Sequence, residues 1–122
     1  MIKSIKKVCV YVEDQQKSKK FWLEKAGFQL VAETPMGDGY WMEVAPPGAE
    51  TVLVIYPRQQ MKNWERMQPS FIFECDDIRE TYERMKANGV KFLSEPAAME
   101  WGTFAQFEDA DGYAYFLREK EN

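Results

Sequence analysis

Five landmarks recur at one spacing in this 122-residue chain, and that recurrence restricts the fold more than any other feature. Asp14 and Asp77, Lys7 and Ser70, and Gly39 and Gly102 are each 63 residues apart, while Gly27 to Gly89 spans 62 and Gly48 to Gly112 spans 64. Self-similarity at a fixed period marks one structural unit used twice. A chain of this length is expected to build one hydrophobic core, so the two copies are read as sharing it in a single domain over residues 1–122.

The content of the unit follows from local patterning. Val8, Val10 and Val12 alternate with Lys7, Cys9 and Tyr11, the period-2 signal of a strand with one apolar face. Asp14 then stands as an N-cap, residues 15–26 read as a helix with Phe21 and Trp22 turned inward, and Gly27 ends it. The same order returns in the second copy. Phe71, Phe73 and Cys75 alternate with Ser70, Ile72 and Glu74. Asp77 and Glu80 have capping-box spacing, Ile78, Tyr82 and Met85 form a buried stripe, and Gly89 closes the helix.

Three extended segments follow each helix, at 28–33, 40–45 and 51–56, then at 90–93, 103–108 and 113–118. Residues 36–39, 46–48, 96–102 and 109–112 carry the glycine, proline and aspartate of turns. The chain is therefore predicted to be α+β, with two βαβββ modules at 1–57 and 70–122 joined by a polar linker at 58–69. One helix covers only one face of a four-stranded sheet. The uncovered faces are expected to curl into an open half-barrel, a curled mixed sheet around a concave pocket for a small molecule.

Charge and hydropathy exclude other classes. Sixteen basic and twenty acidic residues are interleaved, net −4, with no basic stripe, which argues against nucleic acid. No segment approaches the ~20 apolar residues of a membrane span, and the N-terminus lacks the apolar stretch of a signal peptide, so a cytoplasmic location is expected. Cys9 and Cys75 fall in predicted strands without metal-ligand spacing and read as reduced thiols.

The motifs Ile5-Lys6-Lys7-Val8, Phe21-Trp22-Leu23 before Ala26-Gly27-Phe28, Phe73-Glu74-Cys75-Asp76-Asp77-Ile78, Trp101-Gly102 and Phe107 through Gly112 are the carriers of a family resemblance. With them the chain resembles the vicinal oxygen chelate superfamily, which includes glyoxalase I, extradiol dioxygenases and bleomycin-resistance proteins. Asp109-Ala110-Asp111-Gly112 is similar to that family's Asp-Pro-Asp-Gly turn, with alanine replacing proline. The resemblance implies metal-ligand positions at Lys7, Ser70 and Phe116, and in the strand at 51–56, which contains no carboxylate. The chain has no histidine at all. Hence no metal and no cofactor are expected, the alternative being a rearranged site of Glu43, Glu74 and Cys9. A homodimer is also implied by the resemblance.

Several side chains are candidates for the pocket. Lys7 reads either as an anion-binding or basic group or as a solvated strand-end lysine. Cys9 and Tyr11 share its face, and Ile72 and Glu74 share that of Ser70. Cys9 without a histidine to activate it reads as an inert thiol. Glu74 and Glu43 could anchor a cation or transfer a proton, and Trp41, Trp101 and Phe116 could stack on a ligand. Met36 and Met42 could add adaptable contacts. The leading expectation is metal-independent binding of a small aromatic or cationic molecule. A metal-independent lyase or isomerase using Glu74, Glu43 or Lys7, and a degenerate sensory or interaction module, are the alternatives.

Overall fold

The alternation of the first strand is realised as β1 (Lys7–Val12), in which Val10 and Val12 are buried while Cys9 and Tyr11 are half-buried on the opposite face. A computed structural model describes residues 1–121 in two units, divided between Gln68 and Pro69. In the first, β1 is followed by α1 (Gln15–Lys20), which runs on into a π-helical turn at Phe21–Lys25, and then by β2 (Gln29–Met36), β3 (Gly39–Ala45) and β4 (Val52–Pro57). Short 3-10 turns at Arg58–Gln60 and Trp64–Arg66 complete it. The second unit contains β5 (Ile72–Cys75), α2 (Ile78–Ala87), β6 (Lys91–Met99), β7 (Gly102–Glu108) and β8 (Ala114–Glu119).

The strand order is β1-β4-β3-β2 in one sheet and β5-β8-β7-β6 in the other, the same topology twice, with the first pair parallel and the others antiparallel. Neither sheet closes into a barrel. The chain is thus α+β with two βαβββ modules. Even the helix caps repeat: Asp14 has φ −126° and ψ 102°, Asp77 has φ −123° and ψ 105°, and each carboxylate accepts an amide N–H three residues on at 3.1 Å. Glu80 does not return the bond as a capping box requires; its side chain turns to Arg84 at 3.8 Å.

Two expectations need correction. The first helix is not α-helical throughout, because one residue more separates Asp14 from Gly27 than separates Asp77 from Gly89. The extra residue is absorbed in the π turn, where the Ala26 amide reaches back five residues to the Phe21 carbonyl at 3.2 Å. The turn keeps both Phe21 and Trp22 buried. In addition, β2 and β6 run farther than predicted, through Pro35 to Met36 and through Pro96 to Met99. Both are edge strands, where a missing proline N–H breaks no central ladder, and Pro96 lies in an irregular stretch between Ser94 and Ala97.

Each helix buries one sheet face. α1 packs on β3 and β4, over Met42, Val44 and Ile55, and α2 brings Ile78, Tyr82 and Met85 against β6, β7 and β8, which bury Ala105, Phe107, Tyr115 and Leu117. Met42, expected near a ligand, is therefore a core residue on the helix side.

A buried amide fastens the first unit. Gln15 donates through Nε2 to the Tyr40 and Ile55 carbonyls at 2.7 Å each and accepts the Tyr40 N–H at 3.0 Å, joining α1 to both β3 and β4. A Cβ on Gly39 would lie 2.8 Å from Gln15 Oε1, so only glycine leaves room for the amide. Its repeat counterpart, Gly102, makes room instead for the Arg118 guanidinium, which a Cβ would approach to 3.0 Å. One glycine position thus serves two different polar side chains.

Truncating Gln15 strands the Tyr40 N–H and two carbonyls, of which that of Ile55 is buried. Gln15→Ala is expected to destabilise the protein by about 3 kcal/mol, whereas Asp14→Ala, which removes an exposed cap, should cost about 1 kcal/mol. Urea unfolding of the two variants checks this ordering.

Candidate functional site

Strand register decides which side chains share the face turned away from α1. Lys7, Cys9 and Tyr11 of β1 pair with Val52, Val54 and Tyr56 of β4, and Glu43 of β3 pairs with Val54. Trp41, two residues before Glu43, points the same way. Lys7, Cys9, Tyr11, Trp41 and Glu43 are therefore brought onto one face, as is Tyr56, which the sequence reading did not single out. Its signal lay in the alternation of β4, legible only once Tyr56 is placed opposite Tyr11.

On this face a charged pair stands beside a row of rings. Lys7 Nζ donates to Glu43 Oε2 at 2.5 Å, and the Trp41 indole N–H donates to the same oxygen at 2.7 Å. The ammonium also lies 5.4 Å from the Trp41 ring centroid, within cation–π range. Tyr56 meets Trp41 edge-on at 6.2 Å between centroids, and Tyr11 meets Tyr56 edge-on at 5.7 Å. The Glu43 side chain is 9% exposed and that of Lys7 42%, so the acid is held inside the cluster and the base reaches outward.

Electrostatics follow the geometry. The hydrogen bond from Lys7, aided by that from Trp41, holds the Glu43 carboxyl below its ordinary range despite burial. Burial pushes the Cys9 thiol up, so it stays protonated at neutral pH and is a poor nucleophile. Both cysteines are free thiols.

The second unit presents a different face. Ile72 pairs with Phe116, and Glu74 pairs with Arg118 across β5 and β8; Ile72, Glu74 and Phe116 are exposed on the face away from α2. Phe104 meets Phe116 edge-on at 6.4 Å, and the Arg118 guanidinium lies 5.7 Å from the Phe104 ring. Arg118 does not turn to Glu74 but donates to the Trp101 carbonyl and the Glu121 carboxylate at 3.0 Å each. Ser70 lies before β5, exposed and outside the strand, and Trp101 is 67% exposed in the β6–β7 turn. Tyr115, by contrast, belongs to the core.

Tyr115 leads to a network that sequence reasoning took only for a turn. Its hydroxyl donates to Asp109 Oδ2 at 2.7 Å, while Oδ1 accepts the amides of Asp111 at 2.8 Å and Tyr113 at 3.0 Å. Burial raises the Asp109 carboxyl above its ordinary value against the pull of these bonds, and burial together with the Asp109 charge pushes Tyr115 upward as well. Within the first unit, a cleft of about 670 Å³ opens near the start of α1, among Glu13, Asp14, Gln15, Asp38, Tyr40 and Gln60. Among the described residues no three His, Cys, Asp or Glu side chains gather closely enough to hold a metal, and no helix is long and apolar enough to cross a membrane.

Comparisons with known proteins agree with this architecture. The family model for the Glyoxalase/Bleomycin resistance protein/Dioxygenase superfamily matches residues 4–115. Over 120 residues the chain is 61% identical to YetH, an uncharacterized protein of Bacillus subtilis (strain 168), covering 98% of this chain and 100% of that one. The crystal structure of TnmS3, an antibiotic binding protein from Streptomyces sp. CB03234, superposes with a TM-score of 0.84 at 32% identity, over 98% of each chain. A superfamily member from Sphaerobacter thermophilus DSM 20745 gives a TM-score of 0.88 at 26% identity, again over 98% of each.

The two perturbed carboxyls have opposite linkage to stability. Glu43, depressed on folding, contributes stability that is present above its unfolded value near 4.5 and is lost as pH falls through the folded value. Asp109, raised on folding, contributes most below 3.8 and loses that contribution as pH rises through its folded value. Melting curves between pH 3 and 7 should therefore show the advantage of wild type over Glu43→Gln shrinking toward acid, and that over Asp109→Asn shrinking toward neutrality. The same slope for both variants would contradict these assignments.

Proposed function

Since the chain belongs to the glyoxalase/bleomycin resistance protein/dioxygenase superfamily, we propose that it binds a small aromatic or cationic organic molecule without a metal, and holds it rather than transforming it. The observation that carries this reading is the face away from α1, where the Tyr11, Tyr56 and Trp41 rings stand in contact with one another beside the Lys7–Glu43 pair, which Trp41 touches. Half-buried rings give a flat ligand area to stack on, and a few fixed polar groups orient it. Kinship with TnmS3 supports the same reading, because that protein is an antibiotic binding protein at 32% identity over nearly all of both chains.

The donor chemistry disfavours a catalytic metal at the positions the family resemblance points to. Lys7 is an ammonium engaged with Glu43 and opposite Val52, Ser70 offers one hydroxyl outside its strand, and Phe116 offers a phenyl ring. A divalent cation needs about three N, O or S lone-pair ligands, and this set does not fit it. Proton transfer by Glu43 is disfavoured too, because a general base works best with a pKa near the operating pH and this carboxyl is pushed the other way. Glu74 is solvent-exposed, on an open sheet face that excludes no water from a reacting group.

Metal analysis of gently purified protein, followed by melting-temperature screens with cationic and anionic aromatic compounds, tests the proposal. Expected are no stoichiometric zinc, nickel or iron, and a rise of about 10 °C for a ligand at a hundredfold excess over its Kd, with the compound recovered unchanged. Trp41→Ala should remove most of that rise. Stoichiometric metal, or conversion of the compound, would overturn the reading.

A further inference from the structure

Glu43 is only half used. Both hydrogen bonds it accepts, from Lys7 Nζ and from Trp41 Nε1, go to Oε2. Oε1 accepts no hydrogen bond from the described residues, yet it is not among the polar atoms sealed from solvent. A carboxylate whose side chain is 9% exposed, with one oxygen unmatched, is an acceptor waiting for a donor. Beside it, Lys7 Nζ carries three protons and gives one to Oε2, and its side chain is 42% exposed. An acceptor and a donor thus stand next to each other at the edge of the Tyr11, Trp41 and Tyr56 rings.

We infer that this face of the first unit selects an uncharged planar ring whose edge carries a hydrogen-bond donor next to an acceptor, such as a lactam, the donor meeting Glu43 Oε1 and the acceptor meeting Lys7 Nζ. This rests on the binding reading above and narrows it. The internal pairing of Lys7 with Glu43 cancels the local charge, so a cationic ligand gains no net attraction here and has to compete with the ammonium for the same carboxylate. A neutral ligand leaves the pair intact and uses the bonding capacity it has left. An acceptor that a bound ring covers discriminates sharply, because a ligand lacking the donor takes Oε1 out of water and leaves it unpaired.

Three ring-matched probes test this in wild-type protein by titration calorimetry: isoquinolone, which has both N–H and C=O; N-methylisoquinolone, which keeps only C=O; and the cation N-methylisoquinolinium. Isoquinolone is expected to bind at least about tenfold more tightly than either of the others. Glu43→Gln should abolish or reverse the gap between the two lactams, because an amide whose oxygen accepts from Trp41 presents its NH2, a donor, where Oε1 stood. Lys7→Met should weaken both lactams alike and shift preference to the cation, and each variant's melting curve confirms that it folds. Equal binding of the two lactams, or tightest binding of the cation, would overturn the donor–acceptor selection and leave aromatic binding standing. Failure of all three probes to bind at millimolar concentration would overturn the selection and the aromatic-binding reading together.

Discussion

The candidate face exists because Val10, Val12, Met42, Val44 and Ile55 are driven under α1. Burying each of these side chains is worth about 1.5–3 kcal/mol, and together they outweigh any single polar contact in the unit. A half-exposed ion pair such as Lys7–Glu43 adds far less. Packing therefore sets the register, and the polar pair follows from it. Side chains alternate along a strand, so sending Val10 and Val12 inward commits Lys7, Cys9 and Tyr11 to the other face, and a slip of one residue would exchange the two sets. Gln15 makes that slip costly, because its amide is bonded to particular backbone groups of β3 and β4.

From that shared frame the two copies diverge where chemistry is decided. The unit-one face is polar at its centre, with an acid, a base and an indole N–H joined through one oxygen. Ile72 and Phe116 occupy the corresponding strand pair of unit two, and its arginine is tied to the Trp101 carbonyl beside Gly102. The turns differ as well. The first copy turns through Pro46-Pro47-Gly48, whose prolines preset the backbone, whereas the second turns through Asp109, whose carboxylate gathers amides and the Tyr115 hydroxyl.

Much of the fold was legible from residue order because it depends on local signals. The caps at Asp14 and Asp77, the valine alternation of β1 and the 63-residue offset all survive as structural repeats. The misreadings have equally local causes. Pro96 looks like a turn former until the topology places it on an edge strand, and the residue added between Asp14 and Gly27 does not announce that it will be taken up as a π turn. The site was less legible. Lys7, Trp41 and Glu43 could be named, but their convergence on one carboxylate oxygen depends on a pairing of β3 with β4 that no local pattern encodes. Gln15, an ordinary helix residue in sequence, becomes a buried fastener only through contacts 25 and 40 residues away.

A ligand held on the ring-lined face of the first unit has to disturb one indole and spare another. The chain has four tryptophans, and their indole N–H resonances report on distinct places: Trp22 buried in the π turn that ends the first helix, Trp41 on the proposed face, Trp64 after β4 and Trp101 exposed in a turn. Nitrogen-edited NMR during titration with a bound aromatic compound reads all four at once. The Trp41 signal is expected to shift to saturation while that of Trp22 stays fixed. Saturable binding that leaves Trp41 unmoved would contradict that placement of the ligand.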